Sequence, residues 1–194
     1  MKKNNEIDFL QTYLDDYSKL ITPNIEILIK LKKVKDELLN TSKKGGKILI
    51  FGNGGSAAIA SHVSVDLTKN AGIRAVNFNE SDLITCFSND YGYERWIEKS
   101  IDFYADKKDL LILISSSGNS KNMINGCKAA KRKKIKVISF TGNLKGNPLS
   151  KISDLNLWIN SKAYNFIENT HQLWLLTVCD LIIGKREYLA KRKD

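Results

Sequence analysis

Two hydrophobic rhythms alternate along the chain. Five short runs, Lys47–Phe51, Arg74–Phe78, Asp109–Ile114, Ile135–Phe140 and Leu155–Ile159, are rich in apolar and β-branched residues. Between them lie stretches in which apolar positions recur every three or four residues, the period of a helix face. Ile48-Leu49-Ile50-Phe51 and Leu110-Leu111-Ile112-Leu113-Ile114 are apolar at every position, as expected of strands covered on both faces. Strands separated by helical stretches predict an α/β chain with a doubly wound, five-stranded parallel sheet. Ahead of the first strand, Ile7–Leu20 and Asn24–Leu39 carry helical spacing, and Thr22-Pro23 marks the start of the second helix. The expected layout is one domain, a helical hairpin over 1–44 and an α/β core over 45–194. A last helix from near Tyr164 to about Gly184 has an apolar face too broad for solvent and is expected to pack into the core or against another subunit.

Composition narrows the class. With 194 residues, 42% hydrophobic and 27% charged, the chain can bury a core and fits neither wholesale disorder nor a membrane protein. No signal peptide or membrane-length apolar run is visible, so the expected compartment is the cytoplasm. Cys86, Cys127 and Cys179 lack CxxC spacing and read as packed, reduced thiols. The net charge of +10 suits anionic partners. Its densest runs, Lys128–Lys134 and Lys185-Arg186 with Lys191-Arg192-Lys193, fall at predicted helix C-termini, where cations complement the dipole. Without interleaved aromatics they do not form a stacking platform, so a small anion is expected in preference to nucleic acid.

Chemistry is concentrated in two loops. Gly52-Asn53-Gly54-Gly55-Ser56 follows the first strand and opens a helix. Glycines let backbone amides approach an anion, the helix N-terminus adds a favourable dipole, and Ser56 is placed to cap it. Neither a Walker loop nor a dinucleotide fingerprint fits the spacing. Ser115-Ser116-Ser117-Gly118-Asn119-Ser120 follows the third strand in the same way and supplies four hydroxyls. Two such loops at the carboxyl ends of neighbouring strands predict a phosphate site. Asn53, Gly54, Gly55, Ser56, Ser115, Ser116, Ser117 and Ser120 are its candidate residues.

Two helical clusters could supply acid, base or metal. His62 and Asp66 are four apart on the helix after the first loop and share a face. Glu168 and His171 are three apart on the last helix. For His171 a buried hydrogen bond competes with an acid–base role.

These loops, with Ser61-His62-Val63-Ser64-Val65-Asp66-Leu67, Asn89-Asp90-Tyr91-Gly92-Tyr93 and Phe140-Thr141-Gly142, resemble the signature of the phosphoheptose isomerases, a family with the sugar-isomerase (SIS) fold. The resemblance covers nearly the whole chain. It implies an SIS fold, a homotetramer with shared active sites, and conversion of a ketoheptose phosphate to an aldoheptose phosphate for surface polysaccharide. Ser56, Ser115, Ser116, Ser117 and Ser120 would hold the phosphate, and Asn53 and Asp90 would orient the sugar. Asp66 stands where the family has a catalytic glutamate, and Glu168 where it has a glutamine that joins His62 and the carboxylate around zinc. His62, Asp66 and Glu168 are thereby the implied metal ligands. One position departs: Leu176 stands where the family carries a histidine that serves as acid, base and ligand. His171 or Gln172 could substitute, the sugar could differ, or the chain could bind sugar phosphate without turnover, like the DnaA-initiator-associating adaptors.

Overall fold

The computed structural model describes residues 3–188. Two helices come first, α1 (Lys3–Ile21) and α2 (Ile25–Lys43). β1 (Ile48–Gly52), α3 (Gly55–Lys69), β2 (Ala75–Asn77), α4 (Ser81–Tyr91), α5 (Trp96–Tyr104) and β3 (Leu110–Ser115) follow. The chain continues through α6 (Lys121–Arg132), β4 (Lys136–Thr141), α7 (Pro148–Ile152), β5 (Leu155–Trp158) and α8 (Tyr164–Ile183). The strands form one parallel sheet in the order β2-β1-β3-β4-β5. The predicted runs and the strands coincide to within a residue or so at each end.

Unbroken apolar strands are explained by two cores. Ile48 and Ile50, Leu110, Ile112 and Ile114, and Ile138 and Phe140 face one side, where α2, α3 and α8 contribute Val34, Leu38, Val63, Trp174 and Val178. Leu49 and Phe51, Leu111 and Leu113, and Val137 face the other, against Trp96 and Ile101 of α5, Met123 and Cys127 of α6, and Leu149 of α7. Because side chains alternate along a strand, both sets must be apolar. α8 therefore lies on the sheet, with Ile167, Thr170, His171, Trp174 and Leu175 buried, and it ends at Gly184 in the left-handed conformation.

The N-terminal pair is opened out. Asn24 caps α2 by accepting from the Ile27 N–H, and α2 packs on α8. α1 reaches α8 through Tyr13 and Tyr17 against Phe166, leaving Ile7, Phe9, Leu10 and Leu14 exposed. Three cations of the run at the end of α6 are paired: Lys131 with Asp154, Arg132 with Glu98, while Lys133 Nζ donates to the carbonyls of Ile101, Asp102 and Ala105 at the end of α5. Lys191-Arg192-Lys193 lie outside the described residues. Cys127 and Cys179 are buried, and burial raises their thiols to about 11 and about 12, whereas Cys86 is exposed rather than packed. No described helix is long and apolar enough to cross a membrane.

Candidate active site

In a sheet of this order the chain leaves β1 toward β2 on one side and returns as β3 on the other. The carboxyl ends of β1 and β3 are thus the switch point where an open α/β sheet leaves a crevice. Gly52 pairs with Ile114 at that end, which brings the glycine loop and the serine loop side by side.

A cavity of about 220 Å³ lies between them, lined by Asn53, Ser56, Ile114, Ser115, Ser116, Ser117, Ser120, Tyr164 and Glu168. Clefts of about 640 and 510 Å³ elsewhere, one at the end of α8 and one beside α2 and β5, lack these converging hydroxyls. The cap expected of Ser56 is not made. Gly54, at φ +56°, takes the N-cap position of α3 without a side chain to offer, and Ser56 sits inside the first turn, 2% exposed. Ser120 precedes α6 and likewise makes no side-chain cap bond. Two helices therefore start at the cavity with N-cap residues that make no side-chain cap bond, and their positive dipole ends serve an anion there. Ser116 Oγ is buried without a partner. A buried hydroxyl with nothing to bond is costly unless a ligand completes it.

Glu168 enters this cavity from α8. A Cβ at Gly55 would stand 2.1 Å from one of its carboxylate oxygens, so the glycine makes room for the acid. Burial pushes the Glu168 carboxyl above its ordinary range. Among the described residues no Lys, Arg or His lines the cavity to offset it. Asn53 is gripped by Asn122 and by the exposed Tyr93, whose hydroxyl donates to Asn53 Oδ1 at 3.2 Å. Asn122 and Tyr164 carried no signal in sequence, since nothing in their spacing distinguishes them from surface or capping residues, and Tyr93, although inside the Asn89–Tyr93 segment that carries the resemblance, was not singled out as a site residue.

The remaining candidates lie elsewhere. His62 Nδ1 meets Gln172 Nε2 at 3.1 Å, and His62 Nε2 stands 3.8 Å from Asp66 Oδ2 on a half-exposed face of α3 and α8. Asp66 also accepts from Asn70 Nδ2 at 3.0 Å. Asp66 and Gln172 thus do not line the cavity. Asp90 is exposed and bonded to Asn89, also away from it. His171 is 0% exposed, with Nε2 3.2 Å from the Thr141 carbonyl and its ring edge-on to Phe140. Burial lowers it to about 4. It is placed as a core histidine, the alternative the sequence left open.

The implied zinc ligands do not come together. His62 and Asp66 face each other, but Glu168 turns to Gly55 and Leu176, packed against the core, has no donor atom. A zinc site needs three protein ligands or more. Among the described residues no group of three or more His, Cys, Asp or Glu side chains is placed to hold a metal ion. The implied trio of His62, Asp66 and Glu168 is therefore not assembled as a site.

The model of the SIS domain matches residues 12–142. The chain is 37% identical to the phosphoheptose isomerase of Aliarcobacter butzleri over 85% of this chain and 88% of that one. Against the phosphoheptose isomerase of Helicobacter pylori strain P12 identity is 33%, over 90% and 94%. The solved phosphoheptose isomerase of Neisseria gonorrhoeae superposes with a TM-score of 0.81 at 27% identity, covering 94% of this chain and 99% of that one. The chain belongs to the SIS-domain family and, within it, to the phosphoheptose isomerases.

Proposed function

We propose that this protein interconverts a ketose phosphate and an aldose phosphate, with sedoheptulose 7-phosphate and the corresponding aldoheptose 7-phosphate, a precursor of surface polysaccharide, as its substrate pair. The observation that carries this reading is the serine-lined cavity at the switch point, with two helix starts whose N-cap residues make no side-chain bond and one carboxylate entering it. The family relatives are named as isomerases, which weighs against the adaptor alternative. Residues 1–44 and 45–194 act as one unit in the cytoplasm. The exposed Ile7, Phe9, Leu10 and Leu14 of α1 and Ile25, Leu28 and Ile29 of α2 call for burial in a homotetramer with shared sites. A single monomeric species by light scattering would overturn that assembly.

Serine hydroxyls and the helix ends hold the phosphate by many hydrogen bonds without a fixed cation, which lets product leave. Isomerisation moves one hydrogen between adjacent carbons. A base takes the proton from C1 of the ketose, the C2 carbonyl becomes part of an enediol, and return of the proton to C2 with transfer of the hydroxyl proton from O1 to O2 leaves the aldehyde. Glu168 is the carboxylate that lines the cavity, and its raised pKa brings it nearer the operating pH, where a general base works best. His62 lies six residues from Ser56 along α3, about 9 Å at 1.5 Å per residue. At that distance the His62–Asp66 pair meets the middle hydroxyls of a sugar that curls back to bring C1 to Glu168 while its phosphate stays with the serine loop.

The test is deuterium exchange followed by NMR, with sedoheptulose 7-phosphate in deuterium oxide. Exchange and aldose formation in the native protein that vanish in Glu168→Gln and persist in Asp66→Asn are expected. Loss in Asp66→Asn alone moves the base to Asp66. Absence of exchange in the native protein, despite binding, overturns the isomerase reading.

A further inference from the structure

Asn122 is buried, 3% exposed, in the first turn of α6, and it sits opposite Asn53 of the glycine loop. Asn122 Nδ2 donates to Asn53 Oδ1 at 2.9 Å, and Asn53 Nδ2 donates back to Asn122 Oδ1 at 3.2 Å. Side-chain amides can be turned either way, so the direction of such a pair needs an anchor. Here it has one: Asn122 Oδ1 also accepts the Met123 backbone N–H at 3.0 Å, and a backbone N–H can only donate. That bond fixes Oδ1 of Asn122 as acceptor and its Nδ2 as donor, which fixes Asn53 in turn.

The inventory of Asn53 then closes. Its Oδ1 receives Asn122 Nδ2 and the Tyr93 hydroxyl, filling both lone pairs. One of its two amide hydrogens goes to Asn122. A single N–H remains for the cavity that Asn53 lines. We infer that Asn122 is a positioning residue that presents Asn53 to substrate as a one-hydrogen donor, so that this corner of the site accepts an acceptor oxygen of the sugar and rejects a donor. Because Tyr93, the other partner of Asn53, is exposed, Asn53 stands on the solvent side of the serine hydroxyls. The oxygen it reads therefore belongs to the sugar, while the phosphate stays with the serine loop. The pair also ties the β1 loop to α6 and hence to the serine loop, so the two halves of the site keep one spacing.

This inference rests on the proposed isomerase reading, and the experiment separates the two. Asn53→Ala, Asn122→Asp and the double variant form a cycle, read both on kcat/KM and on the Kd of sedoheptulose 7-phosphate by calorimetry. Asn122→Asp keeps the volume and the oxygen that accepts the Met123 N–H but removes the donor to Asn53; Asn122→Ala is the second variant should buried charge prevent folding. Each single variant is expected to lose about a hundredfold in kcat/KM, the scale of a group misplaced by about 1 Å, and the double variant no more than Asn53→Ala. Inhibition by inorganic phosphate is expected to stay within about twofold of native, which a general disturbance of α6 and the serine loop would not allow. Additive losses, or a phosphate inhibition constant that rises in parallel, overturn the positioning role. A native protein that binds the sugar phosphate without turning it over overturns the isomerase reading instead, and the cycle on Kd still decides whether Asn122 acts through Asn53.

Discussion

The cavity between the β1 and β3 loops and the His62–Asp66–Gln172 face hold the same kinds of side chain in opposite settings. In the cavity, Ser56, Ser115 and Ser116 are nearly sealed from solvent, and a carboxylate enters with no cation among the described residues beside it. On the helix face, His62 is half exposed and each polar group already has a neighbour. An electrostatic interaction is worth far more where water is excluded. On the proposed function, binding and proton transfer belong in the cavity and the helix face takes a lesser part.

Exchanging the two carboxylates for their amides tests that ranking most severely. Glu168→Gln is expected to lower kcat by about 10²–10⁴-fold, the contribution of a general acid–base group, with little change in fold. Asp66→Asn is expected to cost less than about tenfold, because its neighbours Asn70 and His62 can bond an amide as well as a carboxylate. Steady-state turnover of the two variants, side by side, decides the comparison, and a larger loss in Asp66→Asn reverses it.

The two histidines extend the contrast to pH. His171 is buried and held down at about 4 from an ordinary 6.5. Its unfolded form takes up a proton in that interval while the folded form does not, so stability falls as the pH drops through 6.5 and bottoms out near 4. The shift corresponds to about 3 kcal/mol. Urea midpoints across that window should decline, and His171→Leu should flatten that part of the curve. An unchanged slope would place the titration on other groups.

A steric change breaks the cavity without touching a charged group. Gly55→Ala would drive a methyl group to 2.1 Å from the Glu168 carboxylate and displace it. A loss of about a hundredfold in kcat is expected. Gly54→Ala is the control. Its Cβ would meet nothing within 4 Å, so only the backbone opposes it: φ +56° with ψ −124° lies outside the wells that L residues populate, at a cost of about 1–3 kcal/mol of stability. Comparable activity losses in both would mean that the loop backbone matters and the fit of Glu168 does not.

What could be read from the chain follows from the range of the interactions involved. Ile48–Phe51 and Leu110–Ile114 announce strands buried on both faces because that burial demands apolar residues at every position. The serine and glycine loops are equally legible, since each is a local turn with its own backbone requirement. Glu168 was visible as a site residue but its role was not. Its direction depends on how α8 crosses α3, and Gly55 admits it only in three dimensions. His171 shared a helix face with Glu168 in sequence, yet one turn separates a side chain in the cavity from one in the core. Asn122 was silent because its function lies in a pairing with Asn53, 69 residues away.

The smallest expected effect is also the most specific to a cavity built for a ligand. Ser116 Oγ is buried and unpartnered, so it contributes nothing to the empty fold and bears a desolvation cost. The Ser116 carbonyl, by contrast, accepts the Gly142 N–H at 3.0 Å, a bond that the side chain does not influence. Ser116→Ala should therefore leave the loop in place and stabilise the free protein by about 1 kcal/mol, raising Tm by about 2–4 °C. In the proposed complex the same hydroxyl would donate to a charged phosphate oxygen, a bond worth about 1.5 kcal/mol at the low end, so KM should rise about tenfold with kcat little changed. Greater stability together with weaker binding is the signature of a group held ready for a ligand. A Ser116→Ala protein that is less stable, or that binds the sugar phosphate as tightly as the native one, would show that this hydroxyl serves the fold and that the phosphate lies elsewhere in the crevice.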